Sequence, residues 1–192
     1  MYTKDMPVKE RLIAGALQCL REKGYAGTTA RDIAAASDAN LRSIGYHFGS
    51  TGELLNTAIS LNFRLWLEPL IEVAADETQA PADRLRIGMD RFTASLSENA
   101  AVLRAWLEAI ALAGRDPGLA SSLADNQVEF RKRLQATLAE AGASDPRKQA
   151  AALIAVCDGL IVRFLLHGEV VPPEEASRAA TEALEVGPHA SA

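Results

Sequence analysis

The chain has 192 residues, 48% of them apolar and 23% charged, with a formal net charge of −5 and a mean hydropathy of +0.01. This length and apolar share suit a folded chain with a substantial core and exclude a disordered one. Cys19 and Cys157 stand far apart and outside any Cys-x-x-Cys, which excludes a disulfide scaffold and a zinc finger. No run approaches the roughly 18 uninterrupted apolar residues of a membrane span. Met1-Tyr2-Thr3-Lys4-Asp5 leads into no apolar signal segment, so a cytoplasmic protein without membrane contact is expected.

The 36 alanines and the 5% share of aromatics favour helix, since alanine loses no side-chain entropy on ordering. No alternating run of β-branched and aromatic residues marks a strand. The expectation is an all-α chain of about nine helices. Periodicity places the first over about Pro7–Lys23, with Leu12, Ile13, Ala16, Leu17 and Leu20 on one face. A short helix over Ala30–Ala36 follows, opened by Thr29-x-x-Asp32, a capping-box pattern with Asp in the Glu/Gln place. Ser37-Asp38-Ala39 forms a tight connection to a second short helix over Asn40–His47, with Asn40 as its cap. A fourth starts at Ser50-x-x-Glu53 and runs to about Ala75. Further helices are placed near 82–98, 100–113, 117–141, 146–167 and 173–186.

Two short helices joined by a tight turn and buttressed by a longer one are the helix-turn-helix arrangement, whose second short helix enters the DNA major groove. Ile33, Ala34, Ile44 and Phe48 are spaced to cover the first helix, and Arg42, Ser43 and His47 to face away from it. Ala34 and Ala39 are small enough for a close helix crossing. Residues 1–50 are read as this DNA-binding domain and 51–192 as a larger effector-binding and dimerisation domain. Charge alone does not suggest DNA: residues 1–55 carry a net +1 and the remainder −6. The helix pattern does.

The stretch Arg11-Leu12-Ile13, Gly24-Tyr25, Thr28-Thr29-Ala30-Arg31-Asp32-Ile33-Ala34, Ile44-Gly45-Tyr46-His47-Phe48-Gly49-Ser50 and Glu53-Leu54-Leu55 resembles the DNA-binding domain of the TetR family of bacterial transcriptional regulators over about residues 8–57. The resemblance implies that Thr29 caps the second helix and, with Arg31, approaches a phosphate. It places Asn40 at the start of the recognition helix, where Leu41, Arg42 and Ser43 face base edges or thymine methyls. Gly45 then lets the backbone approach the duplex, and Tyr46 and His47 contact phosphates. Arg42 is the leading specificity candidate, because arginine can donate two hydrogen bonds to guanine. Three positions depart from the family pattern. Asp38 stands where glycine is usual, in a turn that often needs positive φ. Gly45 replaces a frequent tyrosine. Thr51 replaces a lysine that would meet a phosphate, leaving a hydroxyl at the start of the fourth helix for the same contact.

Segment 146–167 is apolar nearly all round and so needs cover on two sides. With segment 173–186, which carries Ala176, Ala179, Ala180, Ala183 and Leu184 on one stripe, it is expected to form a four-helix homodimer interface. Such a dimer would place two recognition helices on a near-palindromic double-stranded operator. The resemblance further implies a small-molecule effector. Trp66, Met89, Phe92, Leu103, Trp106, Ile110 and Phe130 are the apolar pocket candidates, with His167 as a polar one. No Glu-x-x-His pair, Ser-His-Asp elbow, P-loop or dinucleotide fingerprint appears, so neither a cofactor, a metal nor an enzyme is expected. The expectation is a ligand-responsive repressor released from its operator by an apolar effector. The rival reading is a helical protein-interaction module that has lost DNA binding.

Overall fold

The computed structural model describes residues 6–76, 78, 80–140 and 142–185, and among these every regular element is a helix. In order they are α1 (Val8–Lys23), α2 (Ala30–Ala36), α3 (Arg42–Phe48), α4 (Thr51–Ala75), α5 (Pro81–Ala113), α6 (Pro117–Glu140), α7 (Pro146–His167) and α8 (Pro173–Glu185). Eight helices therefore replace the nine expected among the described residues, because 82–98 and 100–113 form one 33-residue helix. Asn99 marks the expected break, yet asparagine costs only about 0.5–0.7 kcal/mol inside a helix. No glycine or proline stands between Gly88 and Gly114 to stop the run. The last helix was expected to reach 186, which lies outside the described residues.

Local chemistry sets the other boundaries. Asp145 accepts from the Lys148 N–H at 3.1 Å and Pro146 opens α7. Gly168, at φ +71°, closes α7 by donating its N–H to the Phe164 carbonyl at 2.8 Å. Pro69 lies inside α4, which denies the Leu65 carbonyl its helical donor. Both residues are exposed.

The chain divides into two compact units, Met1–Arg64 with Asn99–Asn126, and Leu65–Glu98 with Gln127–Ala192. These packing units do not follow a break at residue 50. The first has a core of Leu12, Ala16, Cys19 and Leu20 from α1, Ile33 from α2, Ile44 from α3, and Leu54, Leu55, Ala58 and Ile59 from α4, joined by Ala105, Ala109, Leu119 and Leu123. In the second, α7 packs on α8, with Leu160, Ile161 and Phe164 buried on one helix and Ala176 and Ala180 on the other. The remaining face of α7 exposes Ala151, Ala155, Gly159, Val162 and Leu166, the last 74% exposed. By length and composition alone α7 is apolar enough to cross a membrane, although one side of it is packed within the unit.

Candidate nucleic-acid interface

Helices α2 and α3 both pack on α1. The α1–α2 crossing is tightest at Gly15, where an added Cβ would stand 2.9 Å from Ser37 Cβ. Gly15 is thus one small residue at the crossing, beside the half-buried Ala34 and Ala39, of which Ala39 packs against the core. The Ser37–Asp38 turn that follows α2 adopts φ +47° at Asp38, as its place in a left-handed turn requires. Arg11 on α1 donates through Nη1 to the carbonyls of Ser37 at 3.2 Å and Asp38 at 2.8 Å. Its guanidinium thus satisfies carbonyls that the end of α2 leaves without helical donors.

The start of α2 is a complete capping box. Thr29 Oγ1 accepts from the Asp32 N–H at 3.3 Å, and Asp32 Oδ2 accepts from the Thr29 N–H at 2.9 Å and hydroxyl at 2.6 Å. Lys23 donates to the other carboxylate oxygen. The Lys23 bond and, behind it, the two Thr29 bonds hold the Asp32 carboxyl well below the usual carboxylate range. Arg31, next along, is exposed.

Helix α3 begins at Arg42, not at Asn40. Asn40 still organises the entry, since its Oδ1 accepts from the Arg42 N–H at 2.9 Å and its carbonyl accepts from the Ser43 N–H at 2.9 Å. Ile44 faces inward at 3% exposure while Leu41 is 46% and Tyr46 86% exposed. Arg42 and Gly45 are also exposed, and Ser43 and His47 are half-buried. A Cβ at Gly45 would meet nothing within 4 Å, so nothing in the described fold requires glycine there. Tyr46 and His47 stand edge to face at 4.9 Å, and the Lys9 ammonium lies 5.9 Å from the Phe48 ring. Gly49, at φ +78°, ends the helix. Thr51 is half-buried at the first position of α4, one residue after Ser50, whose Oγ accepts from the Glu53 N–H at 3.1 Å. The fold thus gathers Asn40, Leu41, Arg42, Gly45 and Tyr46 around one outward helix, with Thr29 and Arg31 at the start of α2.

The effector candidates are dispersed. Trp66, Met89, Phe92, Phe130 and His167 belong to the second unit, whereas Leu103, Trp106 and Ile110 belong to the first. Trp66 and Phe92 stack at 5.3 Å with planes 21° apart, and Trp66 Nε1 donates to Ser95 Oγ at 2.7 Å. Met89 and Phe92 are buried one turn apart on α5. Leu103 is fully buried, and Trp106 packs on Phe63 at 5.3 Å between centroids. Phe130 is half-buried, and Ile110 and His167 are exposed, the latter as the last residue of α7.

Sequence reasoning missed the brace from Arg11 and the contacts of Tyr25 with Glu108 and Asn56. The chain distances of 27, 83 and 31 residues leave no local periodic signal for any of them.

Residues 12–58 match the family described as bacterial regulatory proteins, tetR family, and residues 81–186 the family described as BetI-type transcriptional repressor, C-terminal. The probable HTH-type transcriptional regulator YttP of Bacillus subtilis (strain 168) is 30% identical over 78 residues, which cover 40% of this chain and 38% of YttP. The HTH-type transcriptional regulator BetI of Burkholderia mallei (strain NCTC 10229) is 26% identical over 176 residues, 91% of this chain and 90% of BetI. The multidrug binding protein EbrR, solved in complex with proflavin, superposes with a TM-score of 0.63 at 27% identity, over 92% of this chain and 99% of EbrR.

Proposed function

From the premise that the chain belongs to the TetR family of bacterial transcriptional regulators, as a helix-turn-helix DNA-binding regulator, we propose the following roles for its residues. Residues 1–50 bind DNA, and residues 51–192 bind effector and dimerise. Arg42 reads a guanine edge, with Leu41 and Ser43 beside it at base edges or thymine methyls. Thr29, Arg31, Asn40, Tyr46, His47 and Thr51 hold the phosphate backbone, which sets register and not sequence choice. Gly45 leaves room beside the duplex.

The single observation that carries this reading is the outer face of α3. The seven-residue α3 buries Ile44 while it turns Arg42, Gly45 and Tyr46 outward, with the exposed Leu41 just before it, which offers one face to a groove. The partner is the major groove of a near-palindromic operator, bound by a homodimer joined through α7 and α8. The exposed Val162 and Leu166 on α7 support that dimer. The Trp66–Phe92 stack, with Met89 one turn along, supports a small apolar or aromatic effector, as does the proflavin held by EbrR. An effector that binds one spacing of the two heads more tightly than the other would release the operator. The protein is thus a cytoplasmic repressor without enzymatic activity, in keeping with relatives that are named regulators.

The test is a gel-shift titration on DNA flanking the protein's own gene. Binding that is weakened in both Arg42→Ala and Tyr46→Phe supports the reading. No shift on any genomic fragment at low salt instead favours an interaction module.

A further inference from the structure

The turn between α1 and α2 is held by two residues outside α1–α3, Glu108 on α5 and Asn56 on α4. Glu108 Oε2 accepts from the backbone N–H of Tyr25 at 2.7 Å and of Ala26 at 3.3 Å. Consecutive backbone donors converging on one oxygen make an anion-holding concavity. Here a carboxylate from 83 residues further along the chain fills it. Gly24 makes the approach feasible. Its φ is +73°, and a Cβ there would stand 2.8 Å from both Glu108 oxygens. The Tyr25 hydroxyl meanwhile donates to Oδ1 of the buried Asn56 at 3.0 Å.

From this anchor the backbone passes directly into α2. The Thr28 hydroxyl donates to the Gly24 carbonyl at 2.7 Å, and the Thr28 N–H to the Tyr25 carbonyl at 3.4 Å. The next residue, Thr29, is the cap of α2. Glu108 also shares one unbroken helix with Met89 and Phe92. Glu108 thus stands one contact away from the backbone that leads into α2.

We propose that Glu108 is a positioning residue for DNA recognition: its carboxylate latches the Gly24–Ala26 turn and so fixes how α2 and α3 meet the duplex. This role presupposes the DNA-binding reading above and adds to it a single named contact. The physical signature is specific. A carboxylate accepting from neutral N–H groups makes bonds about twice as strong as a neutral acceptor does. Glutamine keeps an acceptor oxygen and alanine keeps none.

The experiment uses the full chain with two duplexes: an operator selected from random sequence by the wild-type protein, and an unselected duplex of equal length. Glu108→Ala is expected to weaken operator binding about tenfold, within the range typical of coupled sites. Glu108→Gln stays within about threefold of wild type. Affinity for the unselected duplex does not fall in either variant, because each removes a negative charge from the neighbourhood of a polyanion. Hydrogen exchange at the Tyr25 and Ala26 amides accelerates in Glu108→Ala. Wild-type operator affinity in Glu108→Ala, or unchanged exchange at those two amides, overturns the latch. A loss on both duplexes that tracks a fall in the folded fraction also overturns it, since Glu108 would then act on stability alone. If the wild-type protein binds neither duplex, the DNA-binding reading fails and the latch fails with it.

Discussion

Arg11 donates to the Asp38 carbonyl at 2.8 Å, and its guanidinium also stands 3.8 Å from the Asp38 carboxylate, while the Asp38 backbone sits at φ +47°. One side chain thus braces a turn whose residue is in the left-handed region. Aspartate tolerates that region better than most residues but less well than glycine. Asp38→Ala is expected to cost about 1 kcal/mol, and Asp38→Gly to leave stability level or higher. Arg11→Ala, which removes two charge-assisted bonds, is expected to cost about 2 kcal/mol. Urea midpoints check all three. Equal midpoints for the two Asp38 variants would contradict the strain at this turn.

The capping box gives α2 an acid-sensitive start. Thr29→Ala is expected to destabilise the protein by about 1 kcal/mol at neutral pH. The Asp32 carboxyl, held low first by Lys23 and then by Thr29, binds its proton less readily folded than unfolded. Its contribution is therefore present above the ordinary aspartate value and is lost as the pH falls from there toward the lower folded value. Thermal midpoints between neutral and acid pH are expected to fall less steeply in Thr29→Ala than in the wild type, because one source of the lowering is gone.

Thr51 stands at the first position of α4, where a lysine would bring a charge to a phosphate. Thr51→Lys is expected to tighten DNA binding and to steepen the plot of log affinity against log salt by about 0.9 per added phosphate contact. Fluorescence anisotropy over a salt series measures the slope. An unchanged slope would place the start of α4 away from the duplex.

Cys19 is buried and Cys157 half-buried. Burial pushes the Cys157 thiol up to about 12, with Asp158 adding to the effect. Burial, and to a lesser degree Asp32, raises Cys19. Because the thiolate is the reactive form, both are expected to react with a disulfide reagent at pH 8 far more slowly than free cysteine, and to become normal in urea. The linkage has a definite sign. The stabilisation is complete below the unfolded value of about 8.5 and is lost as the pH rises through the folded one. Rapid native-state labelling of Cys157 would contradict the raised thiol.

Much of this was legible because it is local. The Thr29-x-x-Asp32 pattern specified α2 to the residue, and Pro146 marked the start of α7. The positive φ at Asp38 followed from the resemblance, whose pattern has glycine at that place. The outward set on α3 followed from helical spacing against Ile44, although Ser43 and His47 are half-buried and not fully turned out. Failures came where tertiary packing overrides a weak local preference. Asn99 does not break α5, whose neighbours Leu96, Val102 and Leu103 are all buried. Contacts such as Glu108 with Tyr25 join residues that no periodicity relates. Bulk and apolarity, by which the effector candidates are chosen, mark a core as readily as a pocket, so these residues stand as part of the proposal.

On the proposed reading, the outward face of α3 reads sequence. Selection of bound duplexes from a random pool, run in parallel on the wild type and Arg42→Ala, tests it most directly. A near-palindromic motif is predicted, with one guanine per half-site whose preference drops by about 1–3 kcal/mol in the variant while flanking positions hold. Failure to enrich any motif, or recovery of the same motif with undiminished guanine preference by Arg42→Ala, would contradict it.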